Sequence, residues 1–167
     1  MKSNELLLDA FRRIRETVEA TLEGLDDGSL VRRPVGTGNS IAWLIWHLAR
    51  VEDAQVASAA GLDQVWTSQD FAGRFGLPLT GRDTGYGHST HQVDAVQARP
   101  ELLLEYYDAV HRQTRNFLET LTDEDLDRIV DNRWDPPVTL GVRLVSTLAD
   151  CLQHVGQAAY AKGLNPE

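Results

Sequence analysis

The stretch Ser40-Ile41-Ala42-Trp43-Leu44-Ile45-Trp46-His47-Leu48-Ala49-Arg50-Val51 decides how the chain is read. Ile41, Leu44, Ile45, Leu48, Val51 and then Val56 trace the stripe of a helix packed along one face. Asn39 or Ser40 can accept from the free N–H groups of the first turn, and Gly61 supplies a stop, so the spacing predicts a helix ending near Ala60. Its strongly apolar run stops at His47, far short of the roughly 20 residues that span a bilayer.

Working outward, Leu7, Phe11, Ile14, Val18, Leu22 and Leu25 step by three and four and predict a first helix over residues 4–24. Between these helices Pro34 and Gly36-Thr37-Gly38 break the pattern, leaving room for a short turn over residues 29–32. Downstream, residues 61–98 carry Gly73, Gly76, Pro78, Gly81, Gly85 and Gly87 among aromatic residues and two histidines; a connection this long is either functional or a crossover draped over the domain. Pro100 opens a third helix on Leu103, Tyr107, Val110, Thr114, Phe117 and Leu121. Thr122 and Asp125 have the spacing of a capping box for a short helix, which Trp134-Asp135-Pro136-Pro137 ends. Thr139 can cap a fourth helix running to Lys162, with Gly163 and Pro166 as its stop signal. No segment alternates convincingly as a strand. The fold expected is all-α, a four-helix bundle in a single domain over residues 1–167, whose long crossover lets the second and third helices run parallel.

Composition narrows the function. At 167 residues, with 42% hydrophobic and 25% charged residues, the chain has the make-up of one globular domain with a sizeable core. Sixteen Lys and Arg against 25 Asp and Glu leave a net charge of −9, which repels phosphate backbones and anionic lipid heads; nucleic acid and membrane are excluded as expected partners. The single cysteine, Cys151, forms no internal disulfide, and the N-terminus enters an amphipathic pattern at once, so a cytoplasmic location is expected. Cys151 reads as a packed structural residue.

A helical bundle acquires metal chemistry where side chains of facing helices converge, and an i, i+4 pair stacks two ligands on one face. Asp150 and His154 form such a pair in the fourth helix, and His47 sits between the core positions Leu44 and Val51. Read alone, His47 is a hydrogen-bonded core histidine or a ligand, and Asp150 with His154 a surface pair or half of a site. At about 100° per residue, Val145, Leu148, Leu152, Val155 and Ala159 define the expected inward side of that helix. Asp150 and His154 fall on its flank, so an inward site requires an open cleft or a cover from the long loop. His88 and His91 are candidates for a further ligand, a catalytic base or substrate contacts from the crossover, His88 the better one because its glycines let backbone approach closely; the competing reading of both is a solvated loop histidine, and His111 reads as structural. Arg32, Arg50 and Arg82 are either contacts for the carboxylates of an acidic low-molecular-weight thiol or, the reading preferred, solvated surface charges. Gly36-Thr37-Gly38-Asn39-Ser40 lacks the later glycine of a dinucleotide fingerprint and the lysine of a P-loop, and no nucleophile elbow occurs.

These residues resemble a known family. Trp43-Leu44-Ile45-Trp46-His47-Leu48-Ala49-Arg50-Val51-Glu52-Asp53 is similar to the second-helix signature of the DinB-like proteins, and Asp150-x-x-x-His154-x-Gly156-Gln157 to their last-helix signature. The resemblance implies an up-down-down-up bundle with a metal triad falling on His47, Asp150 and His154. Many members carry three histidines, whereas a mycothiol-dependent branch uses His, Glu and His; this chain looks like the latter, with the shorter Asp150 in place of Glu. A Gly-Tyr-Gly-His stretch like Gly85 to His88 is similar to that of actinobacterial members.

The function implied is a metal-dependent enzyme that uses a low-molecular-weight thiol, mycothiol, for transfer to or isomerisation of a small electrophilic substrate. Zinc is the preferred divalent metal, with nickel or iron as alternatives. A non-enzymatic bundle acting by metal binding or dimerisation, with the fourth helix as a homodimer face, and a hydrolase using metal-bound water are the competing expectations.

Overall fold

The computed structural model describes residues 1–164. Four long helices dominate: α1 (Ser3–Leu22), α3 (Ile41–Ala60), α7 (Pro100–Glu119) and α8 (Leu140–Gly163). Contacts between them fix their directions. Arg50 and Asp53 of α3 meet Tyr106 and Glu52 meets Tyr107, while Gln113 of α7 reaches the Asp63 carbonyl just beyond α3, so α3 and α7 run parallel. Gln55 meets Arg143 whereas His47 meets Asp150, so α8 runs antiparallel to α3. Arg15 pairs with Asp108 while Asn4 reaches Leu118, so α1 is antiparallel to α7. The result is the up-down-down-up bundle, with α3 packed on α7 and α8 and α1 closing the other side.

Local signals end these helices as the sequence leads one to expect. Ser40 accepts from Trp43 N at 3.2 Å, Thr139 Oγ1 accepts from Val142 N at 3.3 Å, and Gly61 takes the left-handed conformation at φ 68° that a residue with a Cβ adopts only under strain. The Thr122 and Asp125 capping pair forms, with Asp125 Oδ2 accepting from Thr122 N and Oγ1, both at 2.8 Å. Of the fourth helix's stop signal, Asn165 and Pro166 lie outside the described residues.

Three expectations about local structure and helix orientation need correction. The turn after α1 is a five-residue helix, α2 (Asp27–Val31), because Asp26 caps it by accepting from Ser29 N at 2.7 Å and Leu30 is buried in the core. A small antiparallel pair, β1 (Ile129–Asp131) and β2 (Val138–Thr139), occupies the link before α8; strands of three and two residues are too short to leave a legible alternation. The inward side of α8 is also not the one expected. Of the residues expected inward, Val155 is buried and Leu148 packs against the core, but Val145, Leu152 and Ala159 are exposed, and Leu144, Thr147, Cys151 and Ala158 are buried instead. The helix carries apolar residues on two sides, and periodicity alone cannot say which one meets the core.

The long crossover is ordered by short helices, α4 (Val65–Ser68), α5 (Phe71–Phe75) and α6 (Thr90–Ala95). Trp66 and Phe75 anchor it against Tyr106, and Asp53 of α3 accepts from the backbone N–H groups of Val65 and Trp66, both at 2.8 Å. Arg50 donates from Nε to the Asp83 carbonyl at 3.0 Å, which brings residues 83–88 over α3 and α8. Arg50 is fully buried, in contrast to the solvated charge expected of it, and its guanidinium lies 4.8 Å from the Trp66 ring centroid.

Candidate metal centre

The rotated face of α8 brings Asp150 and His154 against His47. The flank that looked unfavourable in the sequence adjoins the buried stripe of Thr147 and Cys151, and residues 84–86 of the crossover cover the cleft that remains. One ligand atom from each of His47, Asp150 and His154 lies within 4.8 Å of the others. His47 Nε2 is 4.0 Å from Asp150 Oδ2, and His154 Nε2 is 3.7 Å from Asp150 Oδ1. These separations are too long for hydrogen bonds and fit two metal–ligand bonds of about 2.0–2.2 Å meeting at one ion.

Each histidine is oriented from behind. His47 Nδ1 donates to the Thr84 carbonyl, and His154 Nδ1 donates to Gln157 Oε1 at 2.9 Å, which leaves both Nε2 atoms unprotonated and facing Asp150. Burial pushes the pKa of His47 below its ordinary value, keeping the ring neutral as a ligand must be. Asp150 Oδ2 is buried with no hydrogen-bond partner among the described residues. An unsatisfied buried carboxylate oxygen is costly, and a cation is the partner that would relieve it. The residues present fit a divalent metal.

The site's walls explain nearby sequence features. The Trp43 ring stacks on His47 with centroids 4.5 Å apart and planes 13° apart, and His154 meets His47 edge-on at 4.6 Å. Gly85, at φ 95°, passes so close that an added Cβ would fall 2.6 Å from His47 Nδ1 and 3.1 Å from each of the Trp43 and Trp46 rings. A cavity of about 250 Å³ opens beside the triad, lined by His47, Gln55, Thr84, Tyr86, Arg143 and Asp150 among others. Tyr86 is 94% exposed at its rim.

His88 is not brought into the triad. Its Nδ1 accepts from Trp43 Nε1 at 3.0 Å, its Nε2 donates to Asp83 Oδ1 at 2.8 Å, and its side chain is 3% exposed. With both ring nitrogens committed, it clasps the crossover to Trp43 and presents no free nitrogen to serve as base or ligand. His91 is exposed, as expected. His111 lies between α1 and α7, and its pKa is lowered chiefly by burial. Cys151 is buried with its thiol toward the Leu48 carbonyl, and burial pushes its pKa well up, which suits a packed and unreactive cysteine. The contributions of Thr84 and Arg143 were missed by reading the sequence. Arg143 lies seven residues before Asp150 on the same flank, a spacing that points to it; a backbone carbonyl such as that of Thr84 leaves no signal in residue type.

The family pattern of the DinB superfamily matches residues 10–158, and the chain belongs to that superfamily. It is similar to the crystal structure of a conserved protein from Enterococcus faecalis, with 33% identity, a TM-score of 0.91, and coverage of 98% of this chain and 97% of that one. No curated protein matches it significantly. No helix among the described residues is long and apolar enough to cross a membrane.

Proposed function

We propose that the protein is a metal-dependent enzyme that joins a low-molecular-weight thiol, mycothiol in particular, to a small electrophile or uses it to isomerise one. The observation that carries this reading is the Asp150 carboxylate, which faces two unprotonated histidine nitrogens at the edge of an accessible cavity and whose buried Oδ2 has no hydrogen-bond partner among the described residues. His47, Asp150 and His154 hold the ion, zinc by preference, with nickel or iron compatible with the same ligands. With three protein ligands, a divalent cation held there would leave a position for a thiol or water, whose pKa it would lower. Thr84 and Gln157 hold the two imidazoles in the required tautomer, and the stacked Trp43 face excludes water from behind His47. Tyr86, exposed between Gly85 and Gly87, offers an aromatic surface for the substrate's apolar part. His88 acts as a positioning residue in this reading.

The exposed row on α8, Val142, Val145, Ala149, Leu152, Gly156 and Ala159, repeats every three or four residues and supports a homodimer through that helix. Sedimentation at micromolar concentration tests it, and a monomer there rejects it.

Elemental analysis of the purified protein beside His47→Ala tests the metal site: near-stoichiometric metal is expected in the parent protein and little in the variant. Thiol transfer to a model electrophile should fall to background in His154→Ala. Turnover of an ester or amide without added thiol would assign the centre to hydrolysis instead, and turnover unchanged in His154→Ala would reject the site.

A further inference from the structure

The metal cleft shares a wall with a second cavity of about 440 Å³, and both are bounded by Gln55 and Arg143. The outer cavity is lined by Gln55, Gln64, Asp131, Asn132, Arg133 and Arg143 among others. Its charges do not balance. Asp131 is gripped by Arg133 through Nε at 2.9 Å and Nη2 at 2.8 Å and also accepts from Arg143 Nη2 at 2.9 Å, so one carboxylate faces two guanidinium groups. Arg133 is 85% exposed and solvated, whereas the Arg143 side chain is 19% exposed and lies in the wall between the cavities. Arg143 Nη1 donates to Gln55 Oε1, so two of the five donors of the fork are engaged within the protein. Among the described residues, the carboxylate lining the inner cavity is Asp150, which the triad claims. In a chain of net charge −9, a half-buried cation left in surplus beside an open cleft stands out as a counter-charge for a ligand.

Resting on the thiol-transfer reading above, we infer that Arg143 forms a carboxylate-binding subsite, so that the preferred electrophile carries an anionic group separated from its reacting atom by the distance from Arg143 to Asp150. Seven residues of helix separate the two, about 10 Å along the axis. A ligand whose reacting end meets the triad can therefore lay its acidic end on the free edge of the guanidinium, which matches a carboxylate bidentately.

The test uses cobalt(II)-loaded protein, whose thiolate-to-metal absorption band reports thiol binding without turnover, with 6-mercaptohexanoate and 6-mercaptohexanol as the charged and neutral probes. The parent protein should bind the carboxylate probe about tenfold more tightly than the alcohol. Arg143→Gln should erase that preference and leave the alcohol's affinity unchanged. Arg143→Lys, which keeps the charge without the fork, should retain part of it and covers the case in which the glutamine variant fails to fold. Equal affinities in the parent protein, or a preference that survives in Arg143→Gln or is undiminished in Arg143→Lys, overturn the subsite and leave the metal reading intact. Absence of cobalt uptake or of any thiolate band overturns the metal reading, and the subsite falls with it.

Discussion

Asp53 of α3 and Asp150 of α8 belong to the same bundle, yet their surroundings are opposite. Asp53 accepts from two backbone N–H groups, from Tyr106 Oη at 2.9 Å and from Arg50 Nη1 at 3.5 Å, so both its oxygens are matched. Among the described residues, Asp150 leaves Oδ2 unmatched and faces the two histidines at distances too long for hydrogen bonds. Asp53 is fully buried and recovers that cost from within the chain, whereas the Asp150 side chain is 37% exposed and only its Oδ2 is buried without a partner among the described residues. A saturated carboxylate is a fastening, here tying the crossover to α3; an unsaturated one facing two imidazoles is a ligand set lacking its ion.

The sharpest way to break the contrast is to remove each carboxylate. Asp53→Ala strands the Arg50 guanidinium and two backbone donors, and should cost about 3–5 kcal/mol in urea unfolding. Asp150→Ala should change metal-free stability by less than about 1 kcal/mol while abolishing metal uptake. Similar stability losses in both variants would erase the distinction.

A second test uses Glu52, one residue from Asp53 and fully buried. Burial raises its pKa to about 7, opposed by hydrogen bonds from Thr114 and Tyr107. The folded state therefore holds this proton more tightly than the unfolded chain, whose value is 4.5, and stability falls as pH rises from that value through about 7. Glu52→Gln should remove this slope and gain about 3 kcal/mol relative to the parent protein at pH 8, with little difference at pH 4. Parallel urea midpoints for the two proteins from pH 4 to pH 8 would show that Glu52 is ionised in both states.

The smallest effect concerns the loop that completes the open site. In Gly85→Ala the positive φ and the contact with His47 Nδ1 should cost about 1–2 kcal/mol, and displacement of the Thr84 carbonyl should weaken metal binding about tenfold. Metal affinity equal to that of the parent protein, by competition with a coloured chelator, would mean that the loop only covers the ligands and does not orient them.

Much of this was open to inspection in the chain itself. The stripes of α1, α3 and α7, the Ser40 and Thr139 caps and the Gly61 stop are local, and their residues need only neighbours three or four positions away to be read. His47, Asp150 and His154 were nameable as ligand types at ligand spacing. Their convergence was not, because α8 is apolar on two sides and the side with Val145 and Leu152 competes equally well in sequence for the core. His88 illustrates the same limit: a histidine among glycines suggests chemistry, but only packing against Trp43 and Asp83 shows both nitrogens to be occupied.

The sequence by itself determined the number and length of the long helices, their ends and the chemical kind of each side chain, since these follow from backbone hydrogen bonding and hydrophobic period within a few residues. Tertiary structure alone decided which face of α8 turned inward, that the Thr84 carbonyl would fix His47, and that Arg143 would stand between two cavities. Those outcomes depend on contacts between residues tens of positions apart, where side-chain volume and charge are settled by partners that no local pattern contains.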